Sequence, residues 1–280
     1  MQVTRNTIRP AVTTTPRLLG ALGLTVLVSA PLVAQPAAPG PPPTVAAVRA
    51  RVAPRLDGRL DDAIYAETPA ISGFVQQEPF EFAAATEKTE AWIFFDDDQI
   101  YVSARCYESQ PGRRVANEMR RDTNQLRQND TFAVLFDTFH DRRNGYIFYA
   151  NAIGGFADSQ VTDEGPPNVD WNTVWTVRTA EFEGGWTIEM AIPFKSLRYQ
   201  PGTDQVWGIN LRRVVRWKNE WSYLAQVPRA ITTFRGILKV SSAGTLTGLE
   251  APVGSRTVSH RETSLSSLSA GIVVMFEDRA

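Results

Sequence analysis

Cysteine and histidine are scarce in this 280-residue sequence. The single cysteine, Cys106, cannot form an intramolecular disulfide, and it excludes thiolate zinc sites and iron–sulfur clusters. The two histidines, His140 and His260, nearly exclude a multi-histidine metal centre. Net charge is also low, at -1 from 29 basic and 30 acidic residues. This balance argues against nucleic-acid binding, which normally needs a concentrated positive surface.

Several short catalytic motifs are missing as well. The sequence contains no G-x-S-x-G, no G-x-x-x-x-G-K-[ST], no H-E-x-x-H and no G-x-G-x-x-G. At the level of motifs, this excludes serine hydrolases with a nucleophile elbow, nucleotide-binding enzymes and zinc proteases. A glycosidase stays possible, because it needs only two carboxylates roughly 5–10 Å apart. No organic cofactor is expected.

The two ends of the chain differ from its middle. Residues 1–34 combine a basic start, an uncharged apolar stretch and small residues, which predicts a signal peptide. The alternative is a membrane anchor, but the uninterrupted apolar part covers only 18–30, short of the roughly 20 residues that span a bilayer. Export to the periplasm, the outer membrane or the medium follows. Residues 35–44 predict a proline-rich linker, and 249–280 an irregular tail that could be the truncated start of a barrel.

Residues 45–248 read as strands. Trp186, Ile188, Met190 and Ile192 alternate with more polar residues, which is the period of a strand with one buried face. Many such short runs, separated by Gly, Pro and Asp, predict an all-β fold. We expect an antiparallel β-sandwich of immunoglobulin-like or jelly-roll type. Short helical turns are expected at 60–66 and 196–199.

Aromatic and basic residues near strand ends are the candidates for ligand binding. An indole at the rim of a sandwich can stack on a sugar ring, while polar neighbours bind its hydroxyls. Trp171 is either such a plate or a lid on the core, and Trp175 fits the core at least as well. Arg212 and Arg216, with Glu189 on a neighbouring run, form either a binding face or a solvated one. The candidates are Trp171, Trp175, Trp221, Asn151, Arg212 and Arg216.

Carboxylates also cluster at predicted strand ends. Asp137 and Asp158 flank long loops, where acidic side chains can converge on one ion. Calcium takes 6–8 oxygen ligands of this kind, and exported proteins meet it often. The alternative is turn chemistry, because Asp is favoured in turns for its own hydrogen bonds. A structural Ca²⁺ at Asp137 and Asp158 is therefore one of two expectations.

The stretch 56–65 (LDGRLDDAIY) resembles the opening of the carbohydrate-binding module family 9 domain. Short segments that resemble the same family follow in order over roughly 48–248, at 89–92, 100–102, 130–132, 144–148, 154–158, 185–194 and 207–210. The closest branch is the one at the front of bacterial outer-membrane proteins that continue into a β-barrel. The resemblance implies a sandwich that binds sugars, often at chain ends, through stacking tryptophans, with structural calcium nearby. Trp171 and Trp175 match its tryptophan region, and Asp137 and Asp158 its acidic loops.

The expected function is therefore an exported, non-catalytic carbohydrate-binding module. Its ligand would be a plant-type polysaccharide or an oligosaccharide end, and its role would lie in polysaccharide catabolism alongside glycoside hydrolases. Three alternatives stay open: a glycosidase acting on O-glycosyl bonds, a periplasmic interaction or gating domain of an outer-membrane transporter, and a haem-binding relative with His140 and Met190 as ligands. The oligomeric state does not follow from the sequence.

Overall fold

The structure is a computed structural model that describes Gln2, residues 40–200 and residues 202–252. The predicted signal peptide at 1–34 lies outside the described residues except for Gln2, and so do residues 35–39 of the predicted linker and 253–280 of the predicted tail. Within the described part, no helix is long and apolar enough to cross a membrane.

The described residues form thirteen strands, two short α-helices and five 3-10 helices. The strands are β1 Thr44–Ala46, β2 Val48–Arg49, β3 Val75–Glu78, β4 Thr89–Phe95, β5 Gln99–Tyr107, β6 Thr131–Asp137, β7 Gly145–Asn151, β8 Phe156–Val161, β9 Thr176–Phe182, β10 Gly185–Pro193, β11 Gln205–Val215, β12 Glu220–Tyr223 and β13 Gly244–Leu249. The α-helices are α1 Ala63–Glu67 and α2 Thr233–Gly236. The 3-10 helices are Pro111–Arg113, Asn124–Gln128, Phe194–Ser196, Arg216–Lys218 and Val240–Ser242.

Two sheets make up the fold. The larger has eight strands in the order β1-β13-β11-β6-β7-β8, with β12 pairing both β11 and β3. The smaller has five strands in the order β2-β4-β5-β10-β9. Two pairings, β1 with β13 and β2 with β4, are parallel, and the other ladders are antiparallel. The predicted all-β sandwich with short helices is confirmed, although both of its sheets are mixed.

The main core lies between the two sheets. The alternating residues of β10, from Trp186 to Ile192, are fully buried there and face Trp207 and its neighbours of the larger sheet. Arg213 of β11 points into the same layer. Its guanidinium carbon lies 4.6 Å from the centre of the Trp186 ring, and its Nη2 donates to Glu108 Oε1 at 3.1 Å. The core thus contains a buried ion pair.

Helix α1 covers the outer face of the smaller sheet. Its Tyr65 packs edge-on against Trp92 and Phe94. Glu189 of β10 points the same way and accepts hydrogen bonds from Gly58 N at 2.8 Å, Asp57 N at 3.1 Å and the Tyr65 hydroxyl at 2.7 Å. The family-like turn at 56–58 is thereby fastened to the sheet. Gly58 has a φ of +85°, and a Cβ there would come within 2.6 Å of Thr179, so glycine is required.

The outer face of the larger sheet is covered by residues 227–243, which contain no strand. Val227, Ile237, Leu238 and Val240 of this segment pack on outward-facing residues of β6, β7, β8 and β12. The segment is held at Ala243, whose carbonyl oxygen accepts a hydrogen bond from Arg142 Nη1 at 2.7 Å. Lys239 forms an ion pair with Glu164. We call residues 227–243 the covering segment.

Candidate functional site

A cavity of about 280 Å³ lies between the larger sheet and the covering segment. Its floor consists of outward-facing side chains from five neighbouring strands. The covering segment forms its roof, and Arg127 with Pro166 and Pro167 contributes further lining. The floor residues are Thr131 of β6, Ile147 and Tyr149 of β7, Ser159 of β8, Arg212 and Val214 of β11, and Trp221 of β12.

Strand alternation places the aromatic floor of the cavity. In β7, Tyr146 and Phe148 belong to the main core, so Tyr149 points outward. In β12, Trp221 and Tyr223 share the outward face. Phe234 of α2 adds a third ring from the roof, and it is 51% exposed. The cavity therefore combines aromatic rings on two sides with a polar wall.

That polar wall is cationic. Arg212 is only 9% exposed, and its Nε is buried without a hydrogen-bond partner. Among the described residues, no carboxylate forms an ion pair with Arg212. Arg127 and Arg235 also line the cavity, and no Asp or Glu of the described chain does. Burial raises the pKa of the Tyr223 phenol beside Arg212, and the positive charge of Arg212 acts against this rise.

Two of the predicted ligand-binding residues, Arg212 and Trp221, meet in this cavity. A third predicted residue, Arg216, does not line the cavity. It belongs to the 3-10 helix after β11 rather than to the sheet face, and its guanidinium carbon is 5.0 Å from the centre of the Trp221 ring. The predicted grouping with Glu189 is wrong, because Glu189 lies in the other sheet and points towards α1.

Trp171 and Trp175 lie against the main core instead. Trp175 is buried, and its Nε1 donates to Asp158 Oδ1 at 3.0 Å. Trp171 is partly buried, with its ring centre 4.9 Å from that of Tyr146 and 6.0 Å from that of Phe148. Because Tyr146 and Phe148 point inward from β7, Trp171 packs on the opposite side of the sheet from Tyr149. Of the two alternatives for Trp171, the structure shows the lid on the core.

Asn151 ties loops to the end of β7. Its Nδ2 donates to Glu118 O at 2.6 Å and to Asn129 Oδ1 at 2.9 Å. Its Oδ1 accepts from Ile153 N at 3.2 Å and Gly155 N at 2.8 Å. Since all these partners are protein groups and the residue is fully buried, the structure gives Asn151 no part in the cavity.

Asp137 and Asp158 are both buried, and their carboxylates accept hydrogen bonds from protein groups. Asp137 accepts from Asp141 N at 3.1 Å and Arg142 N at 2.8 Å, which closes the turn after β6. Burial raises the pKa of its carboxyl, and these hydrogen bonds oppose the rise.

Asp158 accepts from Arg121 at 2.7 Å and from Thr173 N at 3.0 Å, besides Trp175. Within the described chain, no group of three or more His, Cys, Asp or Glu residues could hold a metal ion. Neither carboxylate belongs to an open ligand set, and calcium stays a prediction.

Three residues of the cavity were not among those predicted from the sequence: Tyr149, Phe234 and Arg127. Tyr149 carries a usable signal, because it alternates with the core residues of β7 and must point outward. Phe234 and Arg127 carry none, since they lie in short helices whose packing depends on distant strands.

Comparisons with known proteins agree with the fold. A family described as "Carbohydrate family 9 binding domain-like" matches residues 56–218. No curated protein gives a significant match. A carbohydrate binding module family 9 from Caldicellulosiruptor kristjanssonii, solved in complex with cellotriose, is 15% identical with a TM-score of 0.51, over 77% of this chain and 98% of its own.

Two further solved structures share the fold. The same module in complex with glucose has a TM-score of 0.51 at 15% identity, over 75% of this chain and 97% of its own. A protein of Bacteroides uniformis ATCC 8492 has a TM-score of 0.58 at 9% identity, over 74% of this chain and 99% of its own.

Proposed function

The chain belongs to the carbohydrate family 9 binding domain-like family, and from this premise we propose that it binds saccharides in the cavity beneath the covering segment. The observation that carries the proposal is the pairing of Trp221 and Tyr149 with Arg212 in one concave site. Aromatic rings take the apolar face of a sugar, and a few polar groups orient its hydroxyls. Trp171, the plate expected from the sequence, has no place in this proposal.

The size of the cavity favours a short ligand. At about 280 Å³ it lies just below the usual range for small-molecule sites, about 300–1,000 Å³. A site of this size suits a chain end or a short oligosaccharide better than the middle of a long polymer. We propose binding without catalysis, because hydrolysis of a glycosidic bond needs two carboxylates beside it. No carboxylate of the described residues lines this cavity.

The setting of this function follows from the sequence. We propose that the leader at 1–34 exports the chain to the periplasm, the outer membrane or the medium, where it serves plant polysaccharide catabolism beside glycoside hydrolases. Two solved structures of a family 9 module have cellotriose and glucose bound, and these sugars are the first ligands to test.

The test is a binding titration of the full chain with cellotriose, glucose and a panel of plant oligosaccharides. Trp221→Ala and Phe234→Ala should each lower the affinity for the best ligand about two- to tenfold, since an aromatic contact contributes about 0.5–1.5 kcal/mol. Phe234→Ala is the safer variant for folding because its ring is half exposed.

Trp217→Ala is the matched control. Trp217 is a partly buried indole whose ring centre lies 4.2 Å from the guanidinium carbon of Arg113. It does not line the cavity. This variant should bind like the wild type. Wild-type affinity in both Trp221→Ala and Phe234→Ala would refute this site, and a wild-type chain that retains no saccharide would refute the function.

A further inference from the structure

We propose that the saccharide carries an anionic group, a uronate carboxylate or a sulfate ester, and that Arg212 binds it. The inference rests on the proposed function and narrows it to acidic saccharides. It starts from a comparison of two adjacent arginines on β11, which point to opposite faces of the larger sheet.

Arg213 has a counter-charge and Arg212 has none. Arg213 forms its buried ion pair with Glu108 in the main core. Arg212 is nine-tenths buried, faces the cavity, and keeps an unpartnered Nε. A buried cation without a counter-charge is costly. An anion that enters the cavity would remove this cost, whereas a neutral sugar would leave the charge uncompensated.

The other charges around the cavity have the same sign. Arg127 forms no ion pair with any described residue. The guanidinium of Arg235 donates to the backbone oxygen of Glu164 at 3.2 Å and forms no ion pair within the described part either. Three guanidinium groups therefore line one small site without a carboxylate. Cations gathered in a concave, partly desolvated site produce a positive potential that favours anions.

The acidic side chains of neighbouring pockets have protein partners of their own. Glu164 lines one such pocket, pairs with Lys239 and accepts from Ser241 N at 2.6 Å. Asp158 and Asp122 line another and share one cation, Arg121, at 2.7 Å and 3.1 Å. None of these carboxylates forms an ion pair with Arg212.

The aromatic residues distinguish an acidic sugar from a simple anion. A guanidinium group binds a carboxylate or a sulfate through parallel N–H donors, and Trp221 and Tyr149 in the same cavity supply surfaces for a sugar ring. An inorganic anion would use the cation alone. The ligand that uses both features is a sugar ring with an anionic substituent.

The experiment is a calorimetric titration of the full chain at low salt with ligand pairs that differ only in charge. Galacturonate and glucuronate oligosaccharides are compared with their neutral galactose and glucose counterparts, and a sulfated oligosaccharide with its unsulfated form. We expect at least one acidic ligand to bind about tenfold more tightly than its neutral partner. The advantage should shrink as salt is added. The tighter of the carboxylate and sulfate arms identifies the group.

Variants assign the preference to Arg212. Arg212→Gln should remove the difference between acidic and neutral ligands, because only the acidic ligand uses the charge of Arg212. Arg212→Lys keeps the positive charge but loses the parallel N–H donors of the guanidinium group. It should therefore retain part of the preference for acidic ligands. The matched control is Arg59→Gln. Arg59 is exposed and lies in the loop before α1, so this variant should behave like the wild type.

Failure of the inference is separable from failure of the proposed function. Equal wild-type affinity for charged and neutral partners overturns the acidic preference and leaves saccharide binding standing. Binding of inorganic sulfate as tight as that of the acidic sugars also overturns it, because the rings would then contribute nothing. If no saccharide of either kind binds, both proposals fall. The comparison within the wild-type protein decides the question even if an Arg212 variant does not fold.

Discussion

Replacement of Glu108 tests whether the buried ion pair holds the sandwich together. The side chain of Arg213 is 0% exposed and that of Glu108 is 2% exposed. In Glu108→Leu, Arg213 keeps its charge in the core but loses the carboxylate 3.1 Å away. Breaking a buried pair in this way costs about 3–5 kcal/mol. For a domain of about 200 residues, each kcal/mol lowers Tm by about 2–4 °C. The expected decrease is therefore about 6–20 °C.

Glu181 provides the matched control, because Arg114 pairs with both Glu108 and Glu181. The Glu181 side chain is 70% exposed, so Glu181→Leu should cost less than about 1 kcal/mol. The double variant Glu108→Leu with Arg213→Met removes both charges of this pair and should regain the part of the stability that an unpaired Arg213 costs, while Arg114 keeps Glu181 as its ion-pair partner. Thermal unfolding followed by circular dichroism measures all three variants. A Glu108→Leu protein that melts within about 2 °C of the wild type would refute the argument.

Two further predictions concern Glu189 and Trp171. Burial raises the pKa of the Glu189 carboxyl. The folded state therefore keeps this proton to a higher pH than the unfolded chain does. As pH rises through the folded-state pKa, the free energy of unfolding of the wild type should fall relative to that of Glu189→Gln. Urea titrations across that range measure it, and a constant difference would contradict the assignment. Trp171→Ala should lower Tm and leave saccharide affinity unchanged, because its ring packs on Tyr146 and Phe148; lost binding at an unchanged Tm would restore the plate.

The sandwich could be predicted because strand alternation is a local property. In β10, the alternation from Trp186 to Ile192 is enough to identify a buried face. It does not tell which sheet a strand joins, and this explains the error over Glu189. Its strand lies in the five-stranded sheet while Arg212 lies in the eight-stranded one. Strand order depends on pairings between residues far apart in the sequence.

The site could be predicted only in part, for a related reason. Arg212 and Trp221 were found because they lie on or beside regular strands. The sequence left Trp171 undecided between plate and lid because it lies in a loop between β8 and β9, where no periodicity fixes the direction of a side chain. The roof of the cavity, with Phe234 in a four-residue helix, has no pattern that distinguishes it from an ordinary surface loop.

The covering segment also bears on how the preference of this protein could diverge. Phe234 and Arg235 belong to the covering segment, which contains no strand and does not pair with the strands beneath it. Both side chains are exposed, so under the proposed function exchanging them would change the roof of the site while leaving the strand residues of its floor in place. The exposed positions of the covering segment are therefore the natural place to engineer a different ligand preference.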